Sequence, residues 1–107
     1  MKVINCCNHK VEICDADGKI IKTYKPSGHW ARVGDDARFI GYVDGIPVKV
    51  RENRRVVGLP EPEEDTYYIV SNILLQECPD RKDLLACGGK WSKYNPRSAW
   101  TAFVTNG

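Results

Sequence analysis

Two Asp-Gly pairs, Asp17-Gly18 and Asp44-Gly45, constrain this chain more than any other feature. The first lies between Val11-Glu12-Ile13-Cys14, which alternates apolar and polar, and Lys19-Ile20-Ile21-Lys22-Thr23-Tyr24. The second joins Arg38-Phe39-Ile40-Gly41-Tyr42-Val43 to Ile46-Pro47-Val48-Lys49-Val50. Glycine takes the positive φ that tight hairpin turns require, so each pair predicts a β-hairpin. Pro47 lacks an N–H and belongs at a sheet edge or a bulge. Trp30-Ala31-Arg32-Val33 reads as a short separate strand, and Arg54-Arg55-Val56-Val57 as a third strand after a turn at Asn53.

After Gly58-Leu59-Pro60-Glu61-Pro62 and the acidic loop Glu63-Glu64-Asp65, the segment Thr66-Tyr67-Tyr68-Ile69-Val70 is aromatic, β-branched and nearly all apolar. That composition predicts a central strand. Ser71 is placed to N-cap a short helix over Asn72–Glu77, and Pro79 to stop it. Leu84-Leu85-Ala86 returns to apolar, Gly88-Gly89 reads as a hinge or turn, and Ala99–Val104 as a last strand. The expectation is a single domain over residues 1–107, mainly β. Hairpins or a meander would form a small sheet or barrel-like core, with one short α-helix near 71–78. An α+β arrangement is the alternative.

Sixteen Lys and Arg against fourteen Asp and Glu leave a formal charge of +2, too little to imply a nucleic-acid polymer as partner. No apolar run approaches the roughly 20 residues of a membrane span, and no signal-peptide core is present. The reading is a cytoplasmic protein without a membrane partner. Cys6, Cys7, Cys14, Cys78 and Cys87 are odd in number, which argues for reduced thiols rather than a disulfide framework. They lack the paired spacing of zinc sites, so no metal or other cofactor is expected.

Several residues can carry chemistry. His9 and His29 are the two histidines and could act as acid and base in phosphodiester cleavage, or equally as surface hydrogen-bonding groups. Cys87-Gly88-Gly89-Lys90-Trp91-Ser92 lacks the frame and strand–helix context of a phosphate loop. Pro79-Asp80-Arg81-Lys82-Asp83 places a guanidinium between carboxylates. Such a loop suits phosphate and ribose binding, or an internal salt bridge. Trp30, Tyr42, Tyr67, Tyr68 and Trp91 are available as stacking faces for a base, or as core residues.

Taken in order, Asn5-Cys6-Cys7-Asn8-His9, the Asp17-Gly18 hairpin, Pro26-Ser27-Gly28, Ala31-Arg32-Val33, Asp44-Gly45-Ile46-Pro47-Val48, Gly58-Leu59-Pro60-Glu61-Pro62, Tyr68-Ile69-Val70-Ser71 and Pro79-Asp80-Arg81-Lys82-Asp83 form a pattern. It resembles a family of short, mostly uncharacterised phage, prophage and bacterial proteins that open with an Asn-Leu-Thr-Pro-His-like segment. Cys6 and Cys7 stand where that family tends to have Leu and Thr, and Cys87 where it tends to have Pro. The resemblance implies the fold and a phage-like setting. By analogy with small phage proteins that act against bacterial defence, it suggests an oligomer that withholds a nucleotide signal.

The expected function is therefore sequestration, without turnover, of a nucleotide-derived ligand such as an ADP-ribose derivative or a cyclic dinucleotide. His9, Ser27, Arg32, Ser71, Asp80, Arg81 and Asp83 are the candidate binding residues, in a homo-oligomer whose pocket sits at a subunit interface. One alternative is an enzyme that cleaves such a signal, with His9 as acid or base and His29 or Asp80 assisting. Another is a protein-binding inhibitor or virion-associated module using the acidic loop.

Overall fold

The computed structural model describes residues 1–90 and 99–106. Its elements run β1 (Lys2–Asn5), β2 (Val11–Cys14), β3 (Ile20–Tyr24), β4 (Arg32–Val43), β5 (Ile46–Val57), β6 (Thr66–Ile69), α1 (Asn72–Glu77), β7 (Leu84–Lys90) and β8 (Trp100–Val104). Among the described residues the protein is mainly β with one short helix. Six strands form a sheet in the order β1-β6-β7-β8-β2-β3, and β4 and β5 form a separate two-stranded ribbon.

The sheet is mixed rather than a meander. β1 pairs parallel with β6, β6 with β7, and β8 with β2. Parallel neighbours cannot be joined by a tight turn, so β6 reaches β7 through α1. Ser71 caps that helix by accepting from the Leu74 N–H at 3.2 Å. Asn5, at the end of edge strand β1, donates from Nδ2 to the carbonyl of Tyr24 on the other edge strand at 2.9 Å. This bond ties the two edge strands to one another.

β6 lies between β1 and β7 and is covered on both faces, which accounts for its continuous apolar run. Tyr68 and Val70 join Cys6, Ala31, Leu74, Leu75, Leu84 and Ala86 in one cluster. Ile69 points the other way and joins Val11 and Ile13, with Trp100, Phe103 and Tyr24 packed against them.

Three local expectations change. Trp30–Val33 and Arg54–Val57 are not separate short strands: Arg32 and Val33 begin β4, and Arg54–Val57 end β5. Asn53, at φ 55, is not a turn but part of a bulge where the ladder shifts between Gly34 and Asp36. Gly88 and Gly89 are neither hinge nor turn; both lie within β7, where Gly88 pairs with Ala102 of β8. A Cβ at 88 would lie 2.7 Å from Val104 Cγ1, so a side chain there requires Val104 to shift. Trp91 and Ser92, from the loop compared with a phosphate loop, lie outside the described residues. Among the described residues no helix is long and apolar enough to cross a membrane.

Candidate functional site

The β1–β2 turn, the start of β4 and the start of α1 meet around a cleft of about 240 Å3. Its walls include Asn8 and His9 from the turn, Trp30, Arg32 and Val33 from the ribbon base, and Ser71 and Ile73 from the helix end. Thus His9, Arg32 and Ser71, distant in sequence, line one cavity.

Asn5 fixes the turn. It is 2% exposed, and all its side-chain polar atoms are used. Nδ2 donates to the carbonyls of His9 and Tyr24, and Oδ1 accepts from the Cys7 N–H, each at 2.9 Å. Its backbone carbonyl accepts from the Ser27 hydroxyl at 2.6 Å and the Ser27 N–H at 3.0 Å. Ser27 Oγ in turn accepts from the His29 N–H at 3.3 Å. Ser27 therefore ties the Pro26-Ser27-Gly28 loop to the turn from behind, and neither it nor His29 lines the cleft. Sequence reasoning missed this role of Asn5. The available signal was the preference of asparagine for side-chain bonds to nearby backbone in turns.

His9 Nδ1 lies 2.9 Å from the carbonyl of Lys10. A carbonyl only accepts, so Nδ1 carries the proton in this contact, and Nε2 is left for a ligand. The Arg32 guanidinium lies over the Trp30 ring, 4.5 Å from its centroid, and Nη1 donates to the Trp30 carbonyl at 3.1 Å. That arrangement holds a cation and a half-exposed aromatic face side by side at the rim. Gly58, at φ 81, presses on the same Trp30 carbonyl so closely that a Cβ would overlap it. Ser71 Oγ spends a lone pair on the helix cap, and its O–H remains a donor.

Cys7 lies at the back of the cleft, and burial pushes its thiol above the ordinary value. Cys6 and Cys87 are pushed to about 11, by burial first and then by the neighbouring Cys7. At neutral pH these are thiols, not nucleophilic thiolates. Among the described residues no group of three or more His, Cys, Asp or Glu side chains is arranged to hold a metal ion.

The Pro79–Asp83 loop lies apart from this cleft. Arg81 grips Asp83 in a two-pronged pair, Nε to Oδ1 at 2.8 Å and Nη2 to Oδ2 at 2.9 Å, and Nη2 also donates to the Pro60 carbonyl at 3.1 Å. Both side chains are mostly buried. The Asp83 carboxyl is held below its usual range by the hydrogen bond from Arg81. Tyr68, behind the pair, donates its hydroxyl to the Glu61 carbonyl at 3.0 Å. Together these bonds brace the segment 60–61 against β6. Asp83 faces a different, acidic cavity with Glu63, Asp65, Thr66, Tyr67 and Lys82. Asp80 is exposed and lines neither cavity. Of the aromatic candidates among the described residues, only Trp30 stands in the cleft; Tyr68 is buried, Tyr67 lines the acidic cavity, and Tyr42 lies on the ribbon, while Trp91 lies outside the described residues.

Comparison with protein-family models, with curated proteins and with solved structures finds no match to this chain. The geometry of the cleft is therefore the basis on which its chemistry is read.

Proposed function

We propose that this protein binds a nucleotide-derived small molecule in the cleft between His9, Trp30, Arg32 and Ser71, and holds it without turnover. An ADP-ribose derivative or a cyclic dinucleotide is the ligand class, and a phage counter-defence role is the setting suggested by the sequence resemblance. The observation that carries the reading is the Arg32 guanidinium stacked on the half-exposed Trp30 ring. A guanidinium pairs with phosphate, and an exposed aromatic face stacks a base. His9 Nε2 and the Ser71 hydroxyl add two hydrogen-bonding groups for ribose or base edges.

The cleft's chemistry favours retention over cleavage. Among the described residues no carboxylate lines it, and the thiol of Cys7 is held protonated by burial. Its 240 Å3 falls below the roughly 300–1,000 Å3 of typical small-molecule pockets, so one chain engages only part of a dinucleotide. That size fits the proposal of a homo-oligomer in which a second copy contributes the remainder.

The test is depletion and release. Purified protein is mixed with cyclic dinucleotides and ADP-ribose derivatives, the free pool is analysed by chromatography and mass spectrometry, and the protein is then heat-denatured. A ligand that disappears and returns intact supports sequestration. A ligand that returns altered replaces this reading with catalysis, His9 being the first residue to mutate. An untouched panel removes the nucleotide reading.

A further inference from the structure

Asn8 combines a fixed backbone with an uncommitted side chain. In the β1–β2 turn, Asn5 holds the chain on both sides of it. Oδ1 of Asn5 accepts from the Cys7 N–H and Nδ2 donates to the His9 carbonyl, each at 2.9 Å. Asn8 itself is exposed and lines the cleft, and its side-chain amide makes no hydrogen bond among the described residues. A further backbone bond sets this turn beside the stacking face. The Ala31 N–H donates to the Cys6 carbonyl at 2.9 Å. Trp30 is one residue from that bond and Asn8 is two, and both line the same cleft. With Trp30 49% exposed, a base stacked on its ring is bordered by the turn that carries Asn8.

A primary amide presents one acceptor and a donor side by side. Adenine answers that pattern, because its amino group donates next to a ring nitrogen that accepts. Guanine answers it poorly. Its O6 and N7 are both acceptors. Its opposite edge carries two neighbouring donors, N1–H and the N2 amine, which call for two acceptors, the role a carboxylate fills. An amide that takes O6 and N1–H leaves the N2 amine without a partner. Among the described residues no carboxylate lines the cleft, and Arg32 and the Ser71 O–H contribute donors.

We propose that Asn8 reads the base and that the cleft selects adenine over guanine nucleotides. The inference rests on the nucleotide reading above and adds to it which base the ligand carries. Trp30 stacks the base, Arg32 meets the phosphate, and Asn8 bonds the base edge. A site that pairs with a polar edge rejects the base that leaves a buried group unpaired. Asn8→Asp exchanges the amide's donor for a second acceptor. It removes the partner of adenine's ring nitrogen and supplies the two acceptors that guanine's neighbouring donors need.

The test is equilibrium dialysis of the full chain against matched pairs, ADP-ribose with GDP-ribose and cyclic di-AMP with cyclic di-GMP. The parent is expected to bind the adenine member of a pair at least about tenfold more tightly, the effect of one buried polar group left unpaired. Asn8→Ala is expected to erase that preference and Asn8→Asp to reverse it, with circular dichroism and melting curves checking the fold. The ratio within a pair is the readout, because a disturbed turn, or a new carboxylate near the phosphate, weakens both members alike. Equal affinities in the parent, a preference for guanine, or a ratio that both folded variants leave unchanged overturns the role of Asn8, while the binding itself still supports sequestration. No binding of any of the four overturns both readings.

Discussion

Gly58 lies against the backbone carbonyl of Trp30, at φ 81, with no room for a side chain between them. The contact sets where the ribbon base turns away from the body, and so sets the wall of the cleft. Gly58→Ala is expected to strain the backbone by about 1–3 kcal/mol and to push against main chain besides. By thermal melting, the loss is expected to exceed that of Gly28→Ala, where φ is 96 but the space for a methyl is open. Equal melting temperatures for the two variants would contradict this packing.

Asn5 links the turn that carries His9 to both edges of the sheet. Asn5→Ala leaves the Cys7 N–H and the carbonyls of His9 and Tyr24 without their partners. Buried groups left unpaired cost about 1–3 kcal/mol each, and some regain water, so a net loss of about 2–4 kcal/mol is expected in urea titrations. A loss under about half a kcal/mol would show that the turn holds without Asn5.

The Arg81–Asp83 pair makes a pH-dependent contribution to stability. Asp83 titrates below its ordinary value in the folded chain, chiefly because Arg81 donates to it. Its contribution is complete above the unfolded value of about 3.9 and is lost as the pH falls through the lower folded value. Arg81 stays charged throughout. Asp83→Asn is therefore expected to be less stable than the parent at pH 7, with the gap closing in strong acid. A gap that is constant with pH would contradict the pairing.

The thiols work in the opposite direction. Cys6 and Cys87 are pushed from 9.0 up to about 11 by burial, so the folded state favours the neutral form. That contribution is full below pH 9 and is lost as the pH rises toward 11. Unfolding by urea is expected to become easier across that interval. Native alkylation at pH 8 is expected to be slow at both cysteines and fast after denaturation, as read by peptide mass spectrometry. Rapid native labelling of Cys6 would contradict its burial.

Local features were legible in the sequence because local physics decides them. The Asp44-Gly45 turn has both residues at positive φ, and Ser71 caps α1 from its own side chain. Long-range pairing was not. β1 joins β6 in parallel, and a parallel neighbour leaves no turn signature to read. Asn53 looked like a turn because asparagine tolerates the left-handed region, which a bulge inside a long strand needs equally. In the site, His9, Arg32 and Ser71 each stood out singly, but their meeting depends on the fold of three separate segments. Arg81 and Asp83, two residues apart, satisfy one another, which charge spacing alone does not distinguish from a phosphate-binding loop.

The most direct test of the cleft compares Arg32→Ala with Arg81→Ala in equilibrium dialysis against the same panel of ADP-ribose derivatives and cyclic dinucleotides. The two changes remove the same side chain from different places. Arg32→Ala is expected to fold like the parent and to bind at least about tenfold more weakly, since a charge-assisted phosphate contact contributes about 1.5–3 kcal/mol. Arg81→Ala is expected to melt at a lower temperature and, while folded, to retain the parent's affinity. Full affinity in Arg32→Ala, with binding lost in a folded Arg81→Ala, would contradict the account and move the site to the Pro79–Asp83 loop.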